Sequence, residues 1–440
     1  MWRPFKTILL IIMLFISASG LPLYADTVNL DFNFNLPNAI ISSKDESINI
    51  DYELTAISAS HHRLNLFLDE KSPSLAYNEE NPINLSFYFL GNKIADFQPT
   101  DIEVTEGDIV SYGIDLSQEN LDIPNGDYNM EIQVSLGGVD GNISLEKIPI
   151  SFHTNIDYIS PLPSIARNET ALTLFFPDNN FKHLIPITRT IPYTNLPLRS
   201  TLDNLALGPD GSLGLPQDSP IPPVQRLNLS RGIANVYLSK EIGLYEEYSS
   251  MAKIALDSFV YSLTSIAEVQ GVQFYFDNRI LREGFHGNRV DRPLYPYDKE
   301  KFYIAYISQS KRALLLPMNM SDFMPSDISI EGVFNGLKYS GGIIPYTSSI
   351  QPPVPEQVEI LNYSLEGTNL QLQLNPSFIE VYRDKPDFQK LMVDSIVYTF
   401  ASLDNIESVE FQLVSDNNYI SEHIPLFKPV SPSQYINPEL

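Results

Sequence analysis

The sequence contains no cysteine, and this absence removes several kinds of chemistry from consideration. Disulfide bonds, thiolate catalysis, Cys-ligated zinc and iron–sulfur clusters all require that side chain. A lipid cannot be attached to a cysteine after signal cleavage either. Any membrane tether of this chain therefore has to be its N-terminal segment.

Basic residues are scarce as well. The 440 residues include 28 Lys and Arg against 54 Asp and Glu, which gives a formal charge of −26. Nucleic acids and anionic membrane surfaces attract proteins whose Lys and Arg neutralise them, so neither is expected as a general partner. The charge suits an extracytoplasmic protein or one that recruits a basic partner.

Long apolar runs are missing beyond the N-terminus. There, Arg3 and Lys6 precede an apolar run over residues 8–16, and small residues follow up to Ala25. This order is typical of a secretory signal, and the run is shorter than the roughly 20 residues of a spanning helix. Residues 1–25 are predicted to be a signal peptide cleaved after Ala25, or an uncleaved anchor and the only membrane contact. In both cases the rest of the chain is secreted or held at the outer face of the cytoplasmic membrane.

Residues 27–155 show the alternation of a β domain. Apolar and polar residues alternate at period two in four short runs, around residues 30–34, 48–52, 85–89 and 130–134. Such runs, separated by Gly, Asn, Asp and Pro, predict an antiparallel β-sandwich. Residues 121–132 resemble the late hairpin of immunoglobulin-like modules. Residues 156–168 are predicted to be a linker.

Beyond the linker, strand and helix patterns alternate twice. Residues 169–281 and 301–415 are each predicted to be an α/β domain with a split βαβ arrangement, in which helices cover one face of a sheet. Residues 282–300 form the predicted linker between them, and residues 416–440 a C-terminal tail. The first domain is predicted to have strands at 172–176, 184–191, 224–229, 233–238 and 272–276, and helices at 198–207 and 245–266. The second is predicted to have strands at 303–307, 313–317 and 409–413, a hairpin over 358–374, and helices at 325–337 and 386–403.

The two α/β domains are a tandem repeat. A shift of 137 positions superimposes a continuous helix–turn–strand segment without gaps. The matches are Asp257-Ser258 with Asp394-Ser395, Val260-Tyr261 with Val397-Tyr398, Ser265 with Ser402, Val272 with Val409 and Phe274 with Phe411.

Residues 169–415 resemble the GerMN domain of bacterial sporulation and spore-germination proteins, present twice. In the first copy the resemblance rests on residues 201–209, which end in Gly208-Pro209, and on residues 219–222, 227–229, 232–239 and 272–276. The second copy keeps the hairpin, the long helix and the last strand. It departs at residues 332–336, which lack the Gly-Pro stop, and at the longer Pro-rich segment 339–355. The N-terminal β domain lies outside the resemblance.

The resemblance implies an assembly module of ring-building type without a known catalytic centre. Tandem members are envelope-anchored factors of endospore formation and germination, and many are lipoproteins, which this cysteine-free chain cannot be. The expected function is thus a non-catalytic scaffold or assembly factor acting through protein–protein contacts. Expected partners are envelope or spore-channel proteins, including ring-forming ones, in the intermembrane space of sporulating cells. A peptidoglycan or cell-wall polysaccharide binding protein, with Tyr and Phe as its platform, is the alternative.

Motifs for catalysis, cofactors and metals do not emerge from the sequence. None of the six His residues stands in a metal-binding spacing, and His61-His62 is interpreted as part of a solvated turn. Asp31, Asn33 and Asn35 alternate like calcium ligands, but the loop lacks the Gly and Glu that such a site needs. The acid pairs at 79–80 and 246–247 are interpreted as surface, since adjacent carboxylates do not face each other across a cleft. We therefore predict no catalytic, cofactor or metal residues.

Two polar groups are kept as candidates for a specific role. Asp257-Ser258 and Asp394-Ser395 recur next to the apolar stripe of the long helix, which favours side chains that bond to a neighbouring loop in both copies over a binding role. Arg282, Arg289 and Arg292 form a basic island in an acidic chain. The island is interpreted as a solvated linker, with an acidic partner as the alternative.

Overall fold

The structure is a computed structural model that describes residues 39–42, 47–69, 74–76, 81–107, 109–138, 141–239, 245, 249–297, 299–324, 328–414 and 424–439. The predicted signal segment, the alternation at residues 30–34, the calcium-like residues Asp31, Asn33 and Asn35, and both acid pairs lie outside these ranges.

The chain divides into two compact units, and the division falls inside the predicted β domain. The first unit comprises Met1–Leu85, Gln98–Ser117 and Ile132–Glu146. The second comprises Ser86–Phe97, Gln118–Glu131 and Lys147–Leu440. Residues 27–155 therefore contribute to both units.

A five-stranded antiparallel sheet lies in the first unit, with strand order β1-β2-β3-β7-β6. Ile50 and Tyr52 of the predicted run 48–52 are buried. The same alternation continues on two further strands, where Leu64, Leu66 and Leu68 and, on the neighbouring strand, Ile114 and Leu116 are buried. The strands are β1 Ala39–Ser42, β2 Ser47–Ser58, β3 His61–Asp69, β6 Glu103–Thr105 and β7 Ile109–Ser117.

A second, four-stranded sheet has the order β5-β4-β8-β9, and three of its strands have residues in both units. Tyr128, Met130, Ile132 and Val134 alternate along one strand and are all buried. The elements are β4 Ile83–Phe89, β5 Asn92–Phe97, a helical turn α1 Gln118–Leu121, β8 Gly126–Ser135 and β9 Asn142–Phe152. The β-rich prediction for this region agrees with these strands, while the immunoglobulin-like arrangement stays a prediction.

Domain 1 contains two sheets, β11-β12 and β13-β14-β15-β16. β14 and β15 are parallel neighbours, so the helix between them is a crossover of βαβ type. The elements are β11 Glu169–Pro177, β12 Leu184–Pro192, α2 Pro197–Ala206, β13 Val224–Ser230, β14 Ile233–Leu238, α3 Ser249–Thr264, β15 Gly271–Phe276 and β16 Arg279–Ile280.

Domain 2 repeats this plan with sheets β10-β20-β19-β21 and β22-β23-β24-β25. Its βαβ crossover runs from β23 to the parallel β24. The elements are β10 Asp157–Tyr158, β19 Lys301–Ile307, β20 Arg312–Asn319, α4 Ile330–Gly336, β21 Ile350–Gln351, β22 Ile360–Glu366, β23 Asn369–Leu374, α5 Ser377–Glu380, α6 Pro386–Ala401, β24 Ser408–Leu413 and β25 Pro429–Val430.

The split βαβ prediction of one sheet per domain requires a correction, because each domain has two sheets. In each domain a helix hydroxyl accepts a backbone N–H of a strand. In domain 1 the Phe175 N–H donates to Ser262 Oγ at 2.9 Å, and in domain 2 the Tyr303 N–H donates to Thr399 Oγ1 at 2.9 Å. In domain 1 this bond satisfies an amide on the outer edge of β11, with which no described strand pairs.

The predicted linkers and tail are structured where the structure describes them. Residues 157–158 form β10, which pairs in parallel with β20. Residues 283–289 form a short hairpin of β17 Glu283–Gly284 and β18 Asn288–Arg289, whose neighbours Phe285 and Val290 are fully buried. Residues 424–439 carry β25 and contact both α/β domains.

One hydrophobic core extends through both α/β domains. It includes Phe259 and Phe274 from domain 1 and Phe400 and Phe411 from domain 2, all fully buried. The tandem domains are therefore packed together.

Candidate interaction surface

The described residues contain no cluster of three or more His, Asp or Glu able to hold a metal ion. Within that part of the chain, none of the helices has both the length and the apolarity required to cross a membrane. A cavity beside α3 has a volume of about 40 Å³ and is lined by apolar side chains including Pro177, Phe181 and Met251. That volume is close to the share of one or two water molecules.

His61 and His62 belong to a strand rather than to the predicted solvated turn. His62 is buried, and burial together with the neighbouring His61 lowers its pKa to about 4. His61 lies on the partly exposed side, with its Nε2 3.7 Å from Asp115 Oδ1. The adjacent Arg63 bonds to Asp115 and Glu103 at 2.9 and 2.5 Å. Because the two imidazoles lie on opposite faces of β3, they do not form a ligand pair.

The repeated aspartates differ between the two copies. The Tyr158 hydroxyl donates a 2.8 Å hydrogen bond to Asp394 Oδ2, which joins α6 to β10. Burial raises the pKa of Asp394 to about 6, against the smaller opposing effects of Tyr158 and Lys390. Asp257 instead pairs with Lys253 on its own helix at 2.6 Å. The prediction of equivalent bonds in both copies is wrong for Asp257.

The neighbouring serines differ in the same way. Ser395 donates to the carbonyl oxygen of Tyr303 on β19. Ser258 is fully buried, and within the described residues its hydroxyl has no hydrogen-bond partner. The helix-to-strand bonds of domain 1 come instead from Ser262 and from Ser265, which donates to the carbonyl of Thr173 at 3.3 Å.

The basic island is structured rather than a free linker. Arg289 bonds to Asp291 through two nitrogens at 2.9 and 2.8 Å, which neutralises its charge locally. Arg282 and Arg292 are exposed.

Two exposed edge strands were not identified as candidates from the sequence. β13 and β22 each lie at the end of a sheet, and no described strand pairs with the outer side of either. They are equivalent strands, and each carries a β-bulge at the same place, between Val224 and Arg226 and between Ile360 and Asn362. The only sequence signal was the hairpin itself, because periodicity does not show which strand ends a sheet.

The helix-covered face of each four-stranded sheet extends only partly over its edge strand, where Val224, Leu227 and Ile360 are half-buried against the core. Tyr363 and Leu365 lie opposite the buried Leu372 and Leu370, yet they remain 39% and 52% exposed. On β13, Leu229 lies opposite the buried Ala234 and is 43% exposed. Exposed apolar side chains on an open strand edge are typical of a surface that pairs with another chain.

Charge distinguishes the two edges. Residues 224–231 contain two arginines, Arg226 and Arg231, and no acid, whereas residues 359–366 contain two glutamates, Glu359 and Glu366, and no base. Arg226 is held on the outer face of β13, with its guanidinium carbon 3.8 Å from the ring centre of Tyr237. A cation over an aromatic face at this distance is favourable and restricts the side chain.

In a comparison with known proteins, one family model matches a segment of each α/β domain. Residues 173–282 and 329–416 match the model of the Germane family, described as sporulation and spore germination. Together these segments make up a little under half of the chain. No curated protein sequence matches the chain.

Solved structures with similarity to this chain include the tandem GerMN domains of the sporulation protein GerM from Bacillus subtilis. The identity is 17% and the TM-score 0.47, with 61% of this chain and 99% of that chain covered. For a putative lipoprotein from Clostridium perfringens the identity is 17% and the TM-score 0.20, with 30% and 93% covered. For the first GerMN domain of GerM alone the identity is 13% and the TM-score 0.23, with 31% and 96% covered.

Proposed function

Because residues 173–282 and 329–416 are two Germane domains in tandem, we propose that this chain is a scaffold or assembly factor of sporulation or spore germination. The family match confirms the resemblance predicted from the sequence and connects the chain with that process. The scaffold role, without catalysis, is the finer part of the proposal.

The observation that carries the scaffold role is the pair of open edge strands. Each Germane domain has an edge strand with exposed apolar side chains, at β13 and at β22, and within the described residues no strand pairs with the outer side of either. Backbone groups at such an edge bind an added strand of another protein, and side chains on alternate positions give selectivity. Two such edges on one chain allow it to contact two neighbours at once.

The proposed place of action is the outer face of the cytoplasmic membrane, and the intermembrane space during sporulation. The charge of −26 and the signal-like residues 1–25 support this location. Envelope or spore-channel proteins are the proposed partners.

A crosslinking pull-down from membranes of the native organism tests the proposal, with samples taken during growth and during sporulation. We expect envelope or channel proteins to be enriched in sporulating cells only. The variant Leu365→Lys should lose this enrichment, because a charge on the apolar side of the edge opposes strand pairing. Leu365→Thr is the matched control and should keep it. Equal recovery during growth and sporulation contradicts the role in sporulation.

Wall binding is the second candidate, and a specific observation favours it. Tyr295 and Tyr297 project from the segment between the domains and are 55% and 68% exposed. Aromatic rings presented in this way can stack on sugar faces. Sedimentation with purified cell walls should retain the wild type and release the double variant Tyr295→Ala, Tyr297→Ala if this function is correct. No sedimentation of the wild type excludes it.

A further inference from the structure

The two open edges are equivalent strands in equivalent domains. Position 226 of β13 corresponds to position 362 of β22, and both strands have a bulge just before that point. In each four-stranded sheet the buried side chains lie on one face, as Ala234 and Val236 do on β14 and Leu370 and Leu372 do on β23. If two such edges from different molecules meet with their helix-covered faces on the same side, the strands must run antiparallel.

In one antiparallel register, apolar side chains lie opposite apolar ones on one face, and polar side chains lie opposite polar ones on the other. This register places Arg226 of one copy opposite Glu366 of the next. The pairs that follow are Leu227 with Leu365, Asn228 with Ser364, Leu229 with Tyr363 and Ser230 with Asn362. The apolar pairs all fall on the helix-covered side, and the polar pairs all fall on the outer side. In this register, the residues whose N–H and C=O groups point away from their own sheet fall opposite each other, so that these groups can pair.

Charge favours the mixed pairing over pairing of like strands. When β22 pairs with a second β22 about Tyr363, Glu366 lies opposite Ile360 and no opposite charges meet. When β13 pairs with a second β13, Arg226 and Arg231 of each copy lie on the same short contact and face no acid. Only the mixed pairing brings the arginine-containing edge to the glutamate-containing edge. In a chain with a charge of −26, self-association needs a contact where like charges do not meet.

We propose that the chain associates head to tail with further copies of itself, by antiparallel pairing of β13 of one copy with β22 of the next. The inference deepens the scaffold role and rests on it. Each contact leaves one β13 and one β22 unused at the ends of the assembly. Such a heterologous contact can be repeated, so that it produces a closed ring or an open filament.

Two singly blocked variants of the full chain test the direction of the contact. Leu229→Lys blocks β13 and leaves β22 open, whereas Leu365→Lys blocks β22 and leaves β13 open. We expect each variant alone to sediment as a monomer, and an equimolar mixture to form a 1:1 dimer that does not grow. The wild type should grow beyond the dimer as its concentration rises.

Charge reversal tests the register within that mixture. Arg226→Glu in the variant with open β13, or Glu366→Arg in the variant with open β22, should weaken the 1:1 dimer by about tenfold. The two reversals together should restore most of the affinity. Leu229→Thr and Leu365→Thr are matched controls that should still assemble, and thermal unfolding followed by circular dichroism verifies that every variant is folded.

Three results overturn the proposal. A wild type that stays monomeric up to about 100 μM shows that the edges do not pair with each other. A dimer of the Leu229→Lys variant alone shows pairing of β22 with β22. Charge reversals without effect, or without mutual rescue, reject the register. None of these results touches the pull-down of heterologous partners, so failure of self-association is distinguishable from failure of the proposed function.

Discussion

Replacing the buried Asp394 by Asn should stabilise the protein at neutral pH. Burial raises the pKa of Asp394 from its ordinary value of 3.8 to about 6, so ionising it in the folded state is unfavourable. Each pKa unit corresponds to about 1.4 kcal/mol, so a shift of about two units amounts to about 3 kcal/mol at pH 7. The amide oxygen of Asn still accepts the Tyr158 hydrogen bond. Its NH₂ group needs a new hydrogen-bond partner, which reduces this stabilisation by about 1 kcal/mol. The expected net gain is about 2 kcal/mol.

The pH dependence gives the prediction its sign. Between about pH 4 and pH 6 the folded state keeps its proton while the unfolded chain has lost it, so the wild type loses stability as the pH rises. Above about pH 6 both states are ionised and the penalty is constant. The advantage of Asp394→Asn should therefore be largest above pH 7, and near pH 4 only the cost of its NH₂ group, about 1 kcal/mol, should remain.

Urea unfolding followed by circular dichroism at pH 4, 5, 6 and 7.5 measures this difference. Asp257→Asn is the matched control, because Asp257 occupies the equivalent helix position but pairs with the exposed Lys253. Its effect should stay within about 0.5 kcal/mol at every pH. A destabilised Asp394→Asn variant at pH 7.5, or parallel pH profiles of this variant and the wild type, refutes the reasoning.

Three further predictions concern hydrogen bonds and backbone conformation. Ser262→Ala should lower the free energy of unfolding, measured in urea, by about 1–2 kcal/mol, because it leaves a β11 amide without its acceptor. Ser258→Ala should be neutral or stabilising. Equal effects of the two variants contradict this assignment. Glu439→Ala should lower stability by about 3 kcal/mol, because the largely buried Arg189 guanidinium loses its only carboxylate within the described residues and keeps two backbone carbonyls. Thermal unfolding within 1 °C of the wild type argues against a stabilising ion pair. Gly208→Ala should lower the free energy of unfolding in urea by more than 2 kcal/mol, because φ is +77° and a Cβ would overlap a backbone carbonyl. Gly367→Ala, at φ +64° in open space, should lower it by only about 1 kcal/mol.

Hydrophobic periodicity predicted the elements of the α/β domains because each element carries its own pattern. The predicted helix 198–207 is observed at Pro197–Ala206, and the predicted strand 272–276 lies within Gly271–Phe276. The repeat also followed from sequence, since its helix and last strand keep identical or apolar residues at a constant shift. The arrangement of the strands into sheets did not, because it depends on contacts between distant segments. In domain 1 a single serine hydroxyl on α3, that of Ser262, takes an edge amide of β11.

The candidate surface was harder to predict for a related reason. The exposure of Leu365 depends on where the helices of domain 2 stop covering the sheet. Neither the exposure nor the extent of the helix cover can be read from the local sequence pattern. The difference between Asp257 and Asp394 likewise depends on Tyr158, which is 236 positions away from Asp394. Identical residues in two repeats thus acquired different environments through the segments that surround them.

The C-terminal segment connects the two α/β domains through very distant residues. The buried Asn437 side chain donates to the carbonyl of Pro186 on β12 at 2.8 Å and to that of Leu315 on β20 at 2.9 Å. It also accepts the Leu315 N–H at 2.8 Å. Thr188 donates its hydroxyl to the carbonyl of Ile436, 248 positions away.

This connection has a consequence for the order of folding during synthesis. A chain emerges from its N-terminus, so β12 is synthesised long before residue 437 is available. Until then the edge of β12 has no partner from this segment and is exposed to pairing with other nascent chains. Contacts across about 250 positions also carry a large loop-closure entropy, which makes the last step slow. The edge of β12 is therefore open for the interval between its own synthesis and the arrival of the last residues.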